Sequence, residues 1–119
     1  MTRITRSADC GNSPKNAAVE DIAVILEGGG EWSGDSFGES TVWALANGTL
    51  VEGADGIRDA RRIAPGEIRI VHAIAHGKVG AASGVTDGES FAYILTYTSA
   101  GMKQLARIDS YRKTGKTNG

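Results

Sequence analysis

The feature that most constrains the fold is a series of short segments in the second half of the chain, each closed by a turn dipeptide. Residues 67–75, 79–85, 90–98 and 104–112 are separated by His76-Gly77, Asp87-Gly88 and Ala100-Gly101. Apolar runs rich in β-branched and aromatic residues, bounded in this way, read as strands. Four strands joined by connections this short form an antiparallel meander. Glycine supports a bent sheet: it makes up 17 of 119 residues, about twice the usual share. The glycines stand singly between apolar runs, as turns and bulges require.

Upstream the period changes. Ser13 is a good N-cap and Pro14 suits the first helical position, where its missing N–H costs nothing. Ala18, Val19, Ile22, Ile25 and Leu26 then fall on one stripe until Gly28-Gly29-Gly30 stops the run, so the spacing predicts a helix over 14–27. Residues 31–37, with Trp32 and Phe37, read as a single helical turn, either lid or ordinary packing. Thr41-Val-Trp-Ala-Leu-Ala leads into Asn47-Gly48 and Thr-Leu-Val-Glu, the pattern of a hairpin with a type I′ turn. Ile57, Ala60 and Ala64 predict a short helix over 55–63 before Pro65-Gly66. The order is helix, small helix, hairpin, helix, then four strands, which is the α+β class. A polar arm (1–12), one domain (13–112) and a polar tail (113–119) follow from the same pass.

Charge and cysteine content narrow the function. Thirteen Lys and Arg against 14 Asp and Glu give a net charge of −1, so there is no basic field for nucleic acid or an anionic membrane. Cys10, a lone and incidental thiol, cannot form an internal disulfide, and no apolar run approaches a membrane span or signal peptide. A cytoplasmic location is expected. Gly28-Gly29-Gly30 follows a helix and is no phosphate cradle, there is no Gly-x-Ser-x-Gly elbow, and Asn47-Gly-Thr lies in a tight hairpin. His72 and His76 lie more than about 12 Å apart along a strand, so they cannot share one metal unaided. No metal or cofactor is expected.

Alternation across the strands sorts the remaining candidates. Strict parity puts Leu105, Arg107, Asp109 and Tyr111 on one face and Ala106, Ile108, Ser110 and Arg112 on the other. Arg107 and Asp109 are then neighbours, either a confined acid/base pair, the carboxylate moving a proton while the cation orients an oxygen, or a surface ion pair. His72 falls in register with Ile68, Ile70 and Ile74 and is expected to be enclosed, as a base, a tautomeric partner or a satisfied core residue. Trp43 shares a face with Leu45, and Phe91, Tyr93, Leu95 and Tyr97 share another; such aromatics are core or the floor of a pocket. Gly80-Ala-Ala-Ser-Gly can admit a close partner or open cavity volume.

Four phrases carry a family resemblance: Thr41-Val-Trp-Ala-Leu, Val51-Glu-Gly-Ala-Asp-Gly-Ile, Val71-His-Ala-Ile-Ala-His-Gly-Lys-Val, and Gly101-Met-Lys-Gln-Leu-Ala-Arg-Ile-Asp-Ser-Tyr-Arg. In order and spacing they resemble the nuclear transport factor 2-like superfamily, which includes ketosteroid isomerases, limonene epoxide hydrolases and SnoaL-type cyclases. The resemblance implies a cystatin-like cone: a strongly curved six-stranded sheet wrapped around a long N-terminal helix and two short helices, with one apolar pocket. It also implies that Asp109 lies on the concave face. Arg107 and His72 would then assist it, and Trp43, Leu45, Tyr93, Tyr97 and Tyr111 would line the pocket. The chain departs from the epoxide hydrolases at Trp43-Ala44-Leu45 and Ala81-Ala82-Ser83, and it lacks the isomerases' carboxylate near Ala44 to Asn47. Two functions remain: a cofactor-free lyase, isomerase, cyclase or hydrolase acting on a small apolar or amphipathic ligand, and a non-enzymatic homodimeric association or ligand-binding module.

Overall fold

The computed structural model describes residues 2–8 and 13–114, so Cys10 and most of the expected tail lie outside the described residues. The elements are β1 (Arg3–Thr5), α1 (Pro14–Leu26), β2 (Phe37–Ala44), β3 (Leu50–Glu52), α2 (Ala54–Ala60), β4 (Glu67–His76), β5 (Val79–Thr86), β6 (Glu89–Tyr97) and β7 (Leu105–Lys113). They form one mixed seven-stranded sheet in the order β1-β4-β5-β6-β7-β2-β3. The meander from β4 to β7 is antiparallel, whereas β1 pairs with β4 and β2 with β7 in parallel.

This corrects the expected cone. The sheet has seven strands rather than six, it is open with β1 and β3 as its edges, and two helices are present among the described residues. Residues 31–36 are not helical, and the expected small helix gives way to an earlier start of β2 at Phe37. Trp32 stacks on Phe37 with centroids 5.0 Å apart, and Arg61 lies over the indole at 5.6 Å. That pair is packing rather than a lid. The hairpin turn also differs from type I′: Gly48 N–H donates to the Leu45 carbonyl at 2.9 Å. Only Gly48 of the turn has positive φ.

Local signals explain α1. Ser13 Oγ accepts from Asn16 N–H, Pro14 stands in the first turn, and Val19, Ile22, Ala23, Val24 and Leu26 are buried. The helix lies across β4 and β5. Gly80 lets it seat there, since a Cβ at that position would stand 2.5 Å from Val19 Cγ2. Ile68, Ile70, Ala73, Ala82, Phe91, Tyr93, Leu95, Tyr97, Leu105 and Ile108 form the sheet's side of the core.

Two β-bulges decide which polar side chains share that face. Ile70 pairs with Gly84 but His72 with Ser83, leaving Val71 as the extra residue of β4. A bulge inserts one residue and reverses the alternation beyond it. Ile68 and Ile70 are therefore buried, and Ala73 takes up the inner face while Val71, His72 and Ile74 are exposed. The expected enclosure of His72 is overturned for this reason. In β7, Thr96 pairs with Arg107 but Tyr97 with Leu105, so Ala106 is the extra residue. Leu105 thereby joins Ile108, Ser110 and Arg112 on the inner face, and Arg107, Asp109 and Tyr111 turn outward.

Tyr97 is 2% exposed, and its hydroxyl has no hydrogen-bond partner among the described residues. Burial pushes this phenol up to about 12, with the charge of Asp21 adding to the shift. A buried unsatisfied hydroxyl costs roughly 1–3 kcal/mol, so Tyr97→Phe is expected to raise stability at neutral pH by about 1 kcal/mol. Because the folded value lies above the unfolded one near 10, the neutral phenol's contribution is complete below pH about 10 and is lost as the pH rises through about 12. Urea titrations of both proteins from pH 7 to 12 should show a smaller alkaline loss in the variant. A destabilised variant at pH 7 would mean the hydroxyl has a partner.

Candidate functional site

Glu27 caps α1 and is wholly buried. A carboxylate there needs compensation, because a buried unpaired charge is among the costliest defects a core can hold. The fold supplies it from three strands. Thr86 Oγ1 donates to Glu27 Oε1 at 2.8 Å. Tyr93 Oη donates a short hydrogen bond to Oε2, and Arg112 Nη2 reaches the same oxygen at 2.5 Å. Arg62, just beyond α2, brings its Nε within 3.8 Å of Oε1. Beside this group Glu89 Oε1 accepts from both Arg62 Nη1 and Arg112 Nη1, each at 3.2 Å. Arg112 also lies 5.8 Å over the Phe91 ring.

A cavity of about 240 Å³ opens next to this network. Its apolar walls come from Leu26 of α1, Trp43 of β2 with Leu45 and Ala46 beyond it, and Ala60 of α2; its polar edge is Asn47, Arg62, Tyr93, Ser110 and Arg112. Trp43 Nε1 donates to Ser110 Oγ, which donates onward to the Ala44 carbonyl, both at 3.0 Å. The indole lies tilted against Tyr93 with centroids 6.5 Å apart. Few, fixed polar groups converging on an apolar hollow are what a small-molecule site requires. A wider cleft of about 570 Å³ between β2, β3 and α2 is lined by glycines, the exposed carboxylates of Glu39, Glu52 and Asp55, and Gln104. No buried polar group anchors it, so the smaller cavity is the candidate site.

The electrostatics fix the protonation states. Burial raises the Tyr93 phenol well above its ordinary range, and the charge of Glu27 adds to this. Burial acts against the Arg112 cation, but Glu27, Tyr93 and Glu89 outweigh it and hold the guanidinium above its usual range. At neutral pH Tyr93 is therefore a neutral donor and Arg112 a cation. With three donors on its two oxygens and no exposure to water, Glu27 is an anchor for the groups around it.

Of the residues expected to act, Trp43, Leu45 and Tyr93 line the cavity. Tyr97 is buried elsewhere in the core. Arg107 and Asp109 do meet, Nε to Oδ1 at 3.0 Å, but on the opposite face of the sheet with Tyr111, which is 58% exposed. His72 is exposed on that face too. Glu27, Arg62 and Arg112 were not singled out by sequence reasoning. Glu27 carried one signal: an acid at a helix C-terminus opposes the helix dipole, so it needs a reason to be there. No group of three or more His, Cys, Asp or Glu among the described residues could hold a metal ion.

No family model matches the sequence, nor does any curated protein. Among solved structures, the chain resembles an NTF-2 like protein of unknown function from Burkholderia xenovorans LB400, with a TM-score of 0.59 at 10% identity, over 91% of this chain and 83% of that one. At that identity the likeness is one of fold. The chain has, at a general level, the fold of nuclear transport factor 2-like proteins. No helix among the described residues is long and apolar enough to cross a membrane.

Proposed function

We propose that this chain is a SnoaL-like binding protein for a small amphipathic molecule, held in the cavity between α1, α2, β2 and the β6–β7 pair. The observation that carries the reading is the combination of apolar walls with a polar edge anchored on the buried carboxylate of Glu27. Binding is favoured over proton transfer because the Glu27 oxygens and the Tyr93 proton are already committed to one another and to Arg112. The Arg107–Asp109 pair faces away from the cavity and takes no part in this reading.

A second reading concerns the outer face of the sheet and is compatible with the first. Ile74, Ala81 and Ile94 lie side by side across β4, β5 and β6. Val79 lies one row along, and Ile74, Val79 and Ile94 are 57%, 47% and 38% exposed. A contiguous exposed apolar face of this kind suits a two-fold contact with a second copy.

One experiment addresses both readings. Indole, 2-naphthol and phenylacetamide are titrated into wild type, Trp43→Ala, Asp109→Asn and Ile94→Asp, with fluorescence for binding and sedimentation of the same samples for mass. Binding is expected in wild type and Asp109→Asn and to be lost in Trp43→Ala, while Ile94→Asp sediments at half the wild-type mass. Loss in Asp109→Asn with Trp43→Ala unaffected would move the site to the outer face. A monomeric wild type would remove the second reading.

A further inference from the structure

Resting on the reading of the cavity as a ligand site, we propose that the ligand is an apolar or aromatic monocarboxylate. Its carboxylate lodges between Arg62 and Arg112, where the protein's own Glu89 now sits. The geometry already contains the recognition event, because one carboxylate oxygen of Glu89 accepts from both guanidiniums at 3.2 Å. Glu89 is the replaceable member of the group: its side chain is 30% exposed, whereas that of Glu27 is 0% exposed. Glu89 can turn to water at little cost, and Glu27 cannot.

The two arginines line the cavity, so an anion held between them stands beside the apolar hollow. A guanidinium carries five N–H donors in a planar fork suited to a carboxylate, and the contacts to Glu27 and Glu89 use only part of that set.

Charge balance selects the class. With Glu89 turned out, two arginines face one buried carboxylate, leaving a single positive charge that one ligand carboxylate neutralises. A phosphate dianion overshoots that balance, and a neutral ligand leaves the cation unmatched. The remainder of the ligand lies against Trp43, Leu26, Leu45 and Ala60, which offer no charge.

The test compares two probes of nearly equal shape, phenylacetate and phenylacetamide, by calorimetry at pH 7 and low salt. Wild type is expected to bind the acid about tenfold or more tightly than the amide, the usual size of a charge-assisted hydrogen-bonded contact. Arg62→Gln should bring the acid-to-amide ratio towards one. Glu89→Ala, which vacates the fork, should bind the acid several-fold more tightly than wild type, a gain that misfolding cannot imitate. Equal binding of acid and amide by wild type overturns the carboxylate assignment while leaving the cavity a ligand site. Unchanged or weaker acid binding in Glu89→Ala overturns the displacement. Failure of both probes in wild type and Glu89→Ala, with indole and 2-naphthol also unbound, sinks the cavity reading and this inference with it.

Discussion

Arg112→Leu is expected to destabilise the fold by about 3–5 kcal/mol, the cost of removing one partner from a buried ion pair. The size follows from what is left behind. Glu27 is inaccessible to water, so it cannot recover hydration, and Arg62 at 3.8 Å is too far to replace a direct 2.5 Å contact. Thr86 and Tyr93 would still donate, but neutral donors do not cancel a charge. The origin of the loss can be isolated in the double variant Glu27→Gln, Arg112→Leu. Glutamine keeps an acceptor oxygen for Thr86 or Tyr93 and removes the charge, so the double variant should be more stable than Arg112→Leu alone. Urea unfolding of wild type, both single variants and the double gives the cycle. If the double loses as much as the sum of the singles, the arginine contributes packing over Phe91 rather than charge.

The same cluster shows where sequence reading reaches its limit. The strands of the β4–β7 meander and the turns between them were legible because alternation and turn chemistry are local properties, and these four strands lie close to the segments they predict. The faces were not, because a single inserted residue exchanges them. In β7 the sign was present: Leu105 and Ile108 are three apart, and no alternating strand can bury both without a bulge. In β4 the run Ile68-Arg-Ile-Val-His-Ala carries the same ambiguity, since either Ala73 or Ile74 can continue the inner face. Choosing Ile74, the larger apolar residue, places His72 wrongly. The edge strand β1 spans Arg3–Thr5, too short for any period to register. Glu27 looks like an ordinary helix end until Thr86, Tyr93 and Arg112 arrive from residues 59, 66 and 85 positions away. That convergence is a property of the topology, and no spacing in the sequence encodes it.

Gly28→Ala is the second large effect, and it ties backbone geometry to the site. Gly28 has φ +92°, outside the region that residues with a Cβ favour, and a Cβ there would lie 2.4 Å from the Arg62 carbonyl oxygen and 2.7 Å from its carbon. Those are backbone atoms, so no rotamer change relieves the clash. The segment after α2 is held against the end of α1 by Arg62 N–H to the Leu26 carbonyl at 3.2 Å and Arg61 Nη1 to the Ile25 carbonyl at 3.1 Å. Moving it away breaks those bonds and withdraws Arg62 from Glu27 and Glu89. The strain of positive φ, about 1–3 kcal/mol, and an overpacking cost of about 1–3 kcal/mol predict a loss of roughly 2–6 kcal/mol. Gly48 provides the control: it has the same φ of +92° with nothing within 4 Å of its Cβ position. Gly48→Ala should therefore show the strain alone, and Gly28→Ala should exceed it by about the overpacking cost, measured as the difference in urea midpoints at a common slope. Equal losses would mean that the Arg62 segment yields freely, and the placement of Arg62 beside the cavity would then rest on its ion pairs instead of on the glycine that admits its backbone.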